Sequence, residues 1–209
     1  MRRIISVTAP RFAAWLSATA GLLMLATAVL SSPVHAVSAD AFVREVGTDT
    51  LQALGDRSLD QTKREAVMRK LLVDHLDLEA VGRFCLGRYS RSMNEAQQKE
   101  YYALFQDYLV KVYSALLAQY NGESLSVQDG TREIEGAQLV SSQILRPSGP
   151  PIRVEWKLVD KAGQLKLTDV VVEGVSMAFT QRQQFESVIQ NNGGRVQALL
   201  DAMKKQISR

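Results

Sequence analysis

The feature that most constrains this chain is a change of period at Asn121-Gly122. Before it, Tyr101, Leu104, Phe105, Tyr108, Leu109, Val112, Tyr113, Leu116, Leu117 and Tyr120 recur at spacings of three and four. That spacing gathers them on one stripe of a long helix. After it, apolar residues alternate with polar ones. Ile152, Val154, Trp156 and Leu158 interleave with Arg153, Glu155 and Lys157, as in a strand with one apolar face. A helix this apolar and a sheet with an apolar face each need a covering surface. The simplest arrangement lays the helix on the sheet.

The rest of the chain fits around that pair. Residues 39–54 place Phe42, Val43, Val46, Thr50, Leu51 and Leu54 on one helical stripe, and residues 60–75 turn Val67, Met68, Leu71 and Leu72 inward. Asp77 is placed to cap a short helix, "LEAVGRFCLGRY", with Gly87 suited to its end. Ser92-Met93-Asn94-Glu95 reads as a capping box for the long helix. Thr180-Gln181-Arg182-Gln183 reads as a second, opening a helix over Gln181–Gln190, and a last helix runs from Arg195 to Ile207. Between the helical blocks, Ser124–Val127, Thr131–Leu145, Ile152–Asp160 and Gln164–Val172 read as strands. Helices, then strands joined by short turns, then helices imply an α+β fold: an antiparallel meander of about four strands packed against helices.

The first 36 residues stand apart. Arg2, Arg3 and Arg11 precede a charge-free run from Phe12 to Leu30, then Pro33 and the small-residue site Val34-His35-Ala36. This is the pattern of a cleaved signal peptide. Ser17, Thr19, Gly21 and Thr27 make the run weakly hydrophobic for a membrane anchor. Its removal leaves 173 of the 209 residues, Val37–Arg209, enough for a single domain. It also removes three arginines and no acid, leaving 22 basic against 22 acidic residues. A neutral mature chain lacks the basic footprint of a nucleic-acid binder. Cys85 is the single cysteine, which excludes an internal disulfide and a cysteine-rich metal site. Its apolar neighbours suit a small core residue. The expectation is a soluble periplasmic protein.

Little in the sequence supports catalysis. His75 is the one histidine after the leader. No glycine-rich phosphate loop occurs, and Gly174-Val175-Ser176 lacks the second glycine of a nucleophile elbow. Asp169 and Glu173 share a strand face about 13 Å apart, better placed for turns and ion pairs than for shared chemistry. Asp74, Asp77 and Glu79 suit helix caps and solvent. Arg83, Arg88 and Arg91 read either as solvated charge or as an anion-contacting rim. No catalytic residue, metal site or cofactor is expected.

The informative feature is apolar excess in the last strand. Leu165 and Leu167 share a face, but that phase runs on into Asp169, while Val170 and Val172 occupy the opposite phase. The slip falls near Thr168. Either a bulge sits there or both faces are buried beyond it. The second face is then covered by the C-terminal helices or opens on a hydrophobic cavity.

The segment "LKLTDVVVEGVSMAFTQRQQF" resembles the hallmark of the MlaC-type, or toluene-tolerance, family. The matching residues are Asp169-Val170, Val172, Gly174-Val175-Ser176, Arg182 and Gln184-Phe185; upstream, Leu86-Gly87-x-Tyr89 before the long helix is similar too. Leu165 stands where the family usually has Trp, and Gln181 where it commonly has Tyr. The resemblance covers roughly Phe42 to Met203. It implies a periplasmic lipid carrier with a deep apolar pocket, an auxiliary component that shuttles phospholipid between an outer-membrane lipoprotein and porin complex and an inner-membrane ABC transporter. "FESVIQNNGG" is similar to a branch associated with hopanoids, which leaves a hopanoid as the alternative cargo. A docking module without lipid and a small hydrolase or isomerase are the rival readings. With that pocket implied, helical period and strand face select Phe84, Leu104, Phe105, Tyr108, Val112, Tyr113, Leu116, Val154, Trp156, Val170, Val172, Val175, Met177 and Phe179 as its expected lining. Arg182 is expected as a structural anchor in the first turn of its helix, bridging to a carboxylate or to strand carbonyls.

Overall fold

Three two-residue turns build the sheet. Glu135-Gly136, Ala162-Gly163 and Glu173-Gly174 all take positive φ: 53° and 76°, 55° and 83°, 49° and 82°. Such turns match the right-handed twist of the strands they join. They connect β1 (Ser124–Ile134) to β2 (Ala137–Leu145), β3 (Ile152–Lys161) to β4 (Gln164–Val172), and β4 to β5 (Val175–Ser176). The sheet is antiparallel, in the order β1-β2-β3-β4-β5. The expected strand Thr131–Leu145 is thus two strands, because Glu135-Gly136 folds it back on itself. The expected four strands become five, the last only two residues long.

The computed structural model describes residues 37–55, 59–117 and 122–209. The leader read as a signal peptide lies outside them, as do Tyr120 and the side chains of Leu54, Leu116 and Leu117.

The phase slip in β4 is a bulge. Lys157 faces Asp169 while Leu158 faces Leu167, so Thr168 is the extra residue. One inserted residue returns Val170 and Val172 to the face that Leu167 occupies. There they pair with Trp156 and Val154.

The helices are α1 (Ala39–Gly55), α2 (Gln61–His75), α3 (Leu78–Leu86), α4 (Glu95–Leu117), α5 (Met177–Asn191) and α6 (Val196–Ile207), with a 3-10 turn at Gly87–Arg91. Asp77 caps α3, accepting from the Ala80 amide at 3.1 Å, and the buried carboxylate also takes the Lys161 ammonium at 3.0 Å. Both expected capping boxes fall one motif off. For α4 the reciprocal pair is Asn94 and Gln97: the Gln97 amide donates to Asn94 Oδ1 at 2.8 Å, and the Asn94 amide to Gln97 Oε1 at 3.2 Å. Ser92 cannot serve because it ends the 3-10 turn in helical geometry, φ −94° and ψ −4°, whereas a capping residue is extended. For α5 the cap is Ser176, whose Oγ accepts from the Phe179 amide at 3.0 Å. The helix therefore starts at Met177, and Thr180 lies inside it, donating to the Ser176 carbonyl at 2.8 Å.

Two hydrophobic cores form. One is helical, with Cys85, Leu86, Tyr101, Phe105, Phe185, Ile189 and Leu200 from α3, α4, α5 and α6. The other joins α1 to the sheet through Val43, Val46, Val127, Val140, Leu158 and Leu167. The expected laying of α4 on the sheet does not occur. Its main partners are α2 and α6, and α1 covers β1 and β2 instead. The apolar stripe of α4 is wide enough for neighbours on two sides and still leaves one edge turned toward the strands.

Candidate functional site

Between the two cores lies a cavity of about 390 Å³. Phe105, Leu109 and Tyr113 of α4 wall one side; Trp156 of β3 and Leu167, Val170 and Val172 of β4 wall another. Val46 and Thr50 of α1, Met68, Leu71, Leu72, His75 and Leu76 at α2, and Val81 and Cys85 of α3 complete it with Met177, Ala178 and Gln181 of α5. The volume falls in the range of small-molecule sites, about 300–1,000 Å³.

The few polar groups on this wall are mostly engaged. Trp156 Nε1 donates to Ser142 Oγ at 2.7 Å, so the indole presents carbon to the cavity with its N–H satisfied. Asp169 accepts from Ser176 Oγ at 2.5 Å and from the Ala178 and Val170 amides at 3.0 and 2.9 Å. Gln181 Nε2 reaches Tyr108 Oη at 3.4 Å. His75 meets the Phe42 ring edge-on at 5.5 Å. Burial pulls its pKa down, against the pull of the Asp74, Asp49 and Glu45 carboxylates. Burial, helped by the charge of Asp169 and opposed by Arg182, pushes the Cys85 thiol up to about 12. Burial likewise raises the Tyr113 phenol. The wall thus offers an apolar enclosure whose thiol burial keeps protonated near neutral pH.

Six residues of the expected lining meet here: Phe105, Tyr113, Trp156, Val170, Val172 and Met177. Others lie elsewhere. Leu104 and Tyr108 pack against the helical core, where the Tyr108 ring meets Phe185 at 5.6 Å. Val112 is half-buried beside the cavity residues without lining it. Val154 is buried on the face it shares with Trp156 and Val172 but does not line the cavity. Phe84, Val175 and Phe179 are exposed, at 43%, 56% and 50%. A residue's phase on a helix or strand says which neighbours it shares a face with, not whether that face is covered, and each of these three turns to solvent. The contribution of α1 and α2 was visible as core stripes, but nothing in their period marks a stripe that faces a void.

Arg182 sits in the second turn of α5, since the helix begins early. Its Nε donates to Glu186 Oε1 at 3.0 Å, and its guanidinium lies 5.5 Å from the centre of the Phe84 ring. The carboxylate partner is on its own helix; the strand carbonyls are not its partners. Gly87 packs beneath the pair: a Cβ there would come within 2.7 Å of Glu186 Oε1. Asp169 and Glu173 have separate tasks. Glu173 holds Arg153, accepting from its amide at 2.5 Å and from Nη2 at 3.1 Å, while Asp169 anchors α5.

A five-stranded antiparallel meander packed against helices, with an apolar cavity between the two cores, defines a mixed helix-and-sheet fold. The family model for MlaC protein matches residues 44–205, most of the chain, and the chain belongs to the MlaC family. It is 21% identical over 197 residues to the toluene tolerance protein ttg2D of Pseudomonas putida, with 90% of each chain covered. It is 22% identical over 154 residues to the intermembrane phospholipid transport system binding protein MlaC of Haemophilus influenzae, with 71% of each covered. The phospholipid-binding protein of Ralstonia solanacearum, solved in complex with a phospholipid, has the same fold: TM-score 0.71 at 21% identity, covering 82% of this chain and 97% of that one.

Proposed function

We propose that this protein is a periplasmic carrier that shelters the acyl tails of a phospholipid and moves it between membrane complexes. The carrying observation is the cavity between the two cores, apolar on the helical and the sheet side alike. An acyl chain gains about 0.8 kcal/mol for each methylene removed from water, so a wall of Leu, Val, Phe and Trp side chains is the form of binding site a lipid tail requires. The relatives that bind phospholipid by name support this cargo. Export rests on the leader pattern of residues 1–36. Among the described residues no helix is long and apolar enough to cross a membrane. Most polar groups lining the cavity serve the fold, with Asp169 bound on both oxygens, and in this reading the carrier performs no reaction on its cargo. An outer-membrane lipoprotein and porin complex and an inner-membrane ABC transporter are its partners in this reading.

The test is organic extraction and mass spectrometry of protein purified from cells, with native mass spectrometry of the cleaved chain. Co-purifying diacyl phospholipid at a fixed stoichiometry is the expected result. A hopanoid mass would reassign the cargo. Folded protein with no lipid, and no uptake from added phospholipid, would overturn the carrier reading.

A further inference from the structure

Phe84 and Phe179, expected inside, form an exposed aromatic patch outside. Phe84 is on α3 directly before Cys85, and Phe179 is on α5 directly after Ala178; Cys85 and Ala178 line the cavity. Both rings are exposed and neither lines the cavity, so they lie on the solvent side of the two helices whose neighbouring residues face it. Arg182 connects them. It stacks over Phe84 and lies three residues after Phe179, on the same helical face. Beyond Phe84 the 3-10 turn carries Arg88 and Arg91, and among the described residues neither makes an ion pair. Arg88 lies over the Tyr89 ring at 5.0 Å. Glu79 and Glu186 are the nearby carboxylates, and they pair with Arg83 at 4.0 Å and Arg182 at 3.0 Å.

We infer that this patch docks the protein on the surface of an anionic lipid bilayer. Charge complementarity selects that occupant. Arg88, which donates to Tyr89 Oη at 3.0 Å and feels the Glu186 carboxylate, and Arg91 are exposed guanidinium groups without an ion pair among the described residues and suit phosphate oxygens. Two projecting phenyl rings call for hydrocarbon beneath them. A bilayer interface presents both layers everywhere on its surface. The inference goes beyond the carrier reading, since it concerns the outside of the α3–α5 wall and holds whatever the cavity contains.

The experiment is flotation of the cleaved protein with vesicles of phosphatidylglycerol and phosphatidylethanolamine, against vesicles of phosphatidylcholine alone. Wild-type protein floats with the anionic vesicles and is released by salt. Arg88→Gln and Arg91→Gln each weaken partitioning about fivefold. Phe84→Ser with Phe179→Ser weakens it about tenfold or more. Circular dichroism and bound-lipid mass spectra of the same samples establish that fold and cavity are intact, so a failed carrier reading is distinguished from a failed docking surface. No enrichment on anionic over neutral vesicles would overturn the inference. So would unchanged binding in the folded arginine and phenylalanine variants. Binding to a membrane protein with no binding to bare vesicles would assign the patch to a protein partner and overturn it too.

Discussion

Ser176 Oγ donates to Asp169 Oδ2 at 2.5 Å and at the same time accepts the Phe179 amide at 3.0 Å. One hydroxyl therefore caps α5 while being held from β4, and Asp169 Oδ1 adds the Ala178 amide. The strand, the Glu173-Gly174 turn and the helix start are locked as a unit. That unit spans the Asp169-Val170 and Gly174-Val175-Ser176 parts of the sequence motif. Asp169→Ala is expected to cost about 3–6 kcal/mol, because the Ser176 and Ala178 bonds to its charged carboxylate contribute about 1.5–3 kcal/mol each, and Ser176→Ala about 1 kcal/mol. Urea unfolding of the singles and the double checks this. The double should cost clearly less than the sum, and strict additivity would show that the two residues act separately.

Val172 lines the cavity and Val175, its partner across the turn, is exposed. Val172→Glu should abolish retention of bound lipid through purification, since it places an unpaired carboxylate on an apolar wall. Val175→Glu should leave retention unchanged. Lipid per chain by mass spectrometry is the readout, and equal loading of the two variants would move Val172 out of the site.

Asp77 governs part of the acid sensitivity. Burial pushes its carboxyl up, but the Ala80 amide and the Lys161 ammonium outweigh that and hold it below the usual range. A depressed folded pKa means a contribution present in full above the unfolded value of about 3.9 and lost as pH falls through the folded value. Asp77→Asn should thus be most destabilised near neutral pH and approach wild type in strong acid. Thermal unfolding across that pH range measures it; a deficit that grows on acidification would contradict the assignment.

Cys85 should resist thiol reagents in the folded protein. Its side chain is fully buried and its pKa is pushed up to about 12, so little thiolate exists at about pH 8. Labelling by a maleimide should follow the rate of unfolding and become rapid in urea. Prompt labelling under native conditions would mean that the α3–α5 wall opens readily.

Gly87 combines φ +55° with a site where a Cβ would lie 2.9 Å from Arg182 Cζ and 2.7 Å from Glu186 Oε1. Gly87→Ala is expected to cost about 2 kcal/mol or more, from left-handed strain and displacement of the ion pair. Urea unfolding would detect it. A neutral effect would mean that the Arg182–Glu186 pair swings aside freely.

Much of this was legible in residue order. The stripe of α4, the alternation of β3 and the phase slip at Thr168 all have one cause, since side-chain period reports which residues turn inward. The slip by itself admits a bulge or a doubly buried strand, and it is the bulge. Helix starts were less legible. Ser92 and Thr180 have the right side chains, but a cap also needs extended backbone, which the preceding 3-10 turn denies to Ser92 and which Ser176 supplies earlier than Thr180.

What the sequence alone determined is which surfaces avoid water: the α4 stripe, the even positions of β3 and the valines of β4 after the bulge. Only the tertiary structure decided what those surfaces meet. α4 leans on α2 and α6, α1 takes β1 and β2, and the remaining apolar edges face each other across a gap. An apolar stripe against a neighbour and an apolar stripe against a void have the same period, because both are selected for exclusion from water and neither period encodes distance. The same blindness put Phe84 and Phe179 inside, when the packing of α3 on α5 leaves them out.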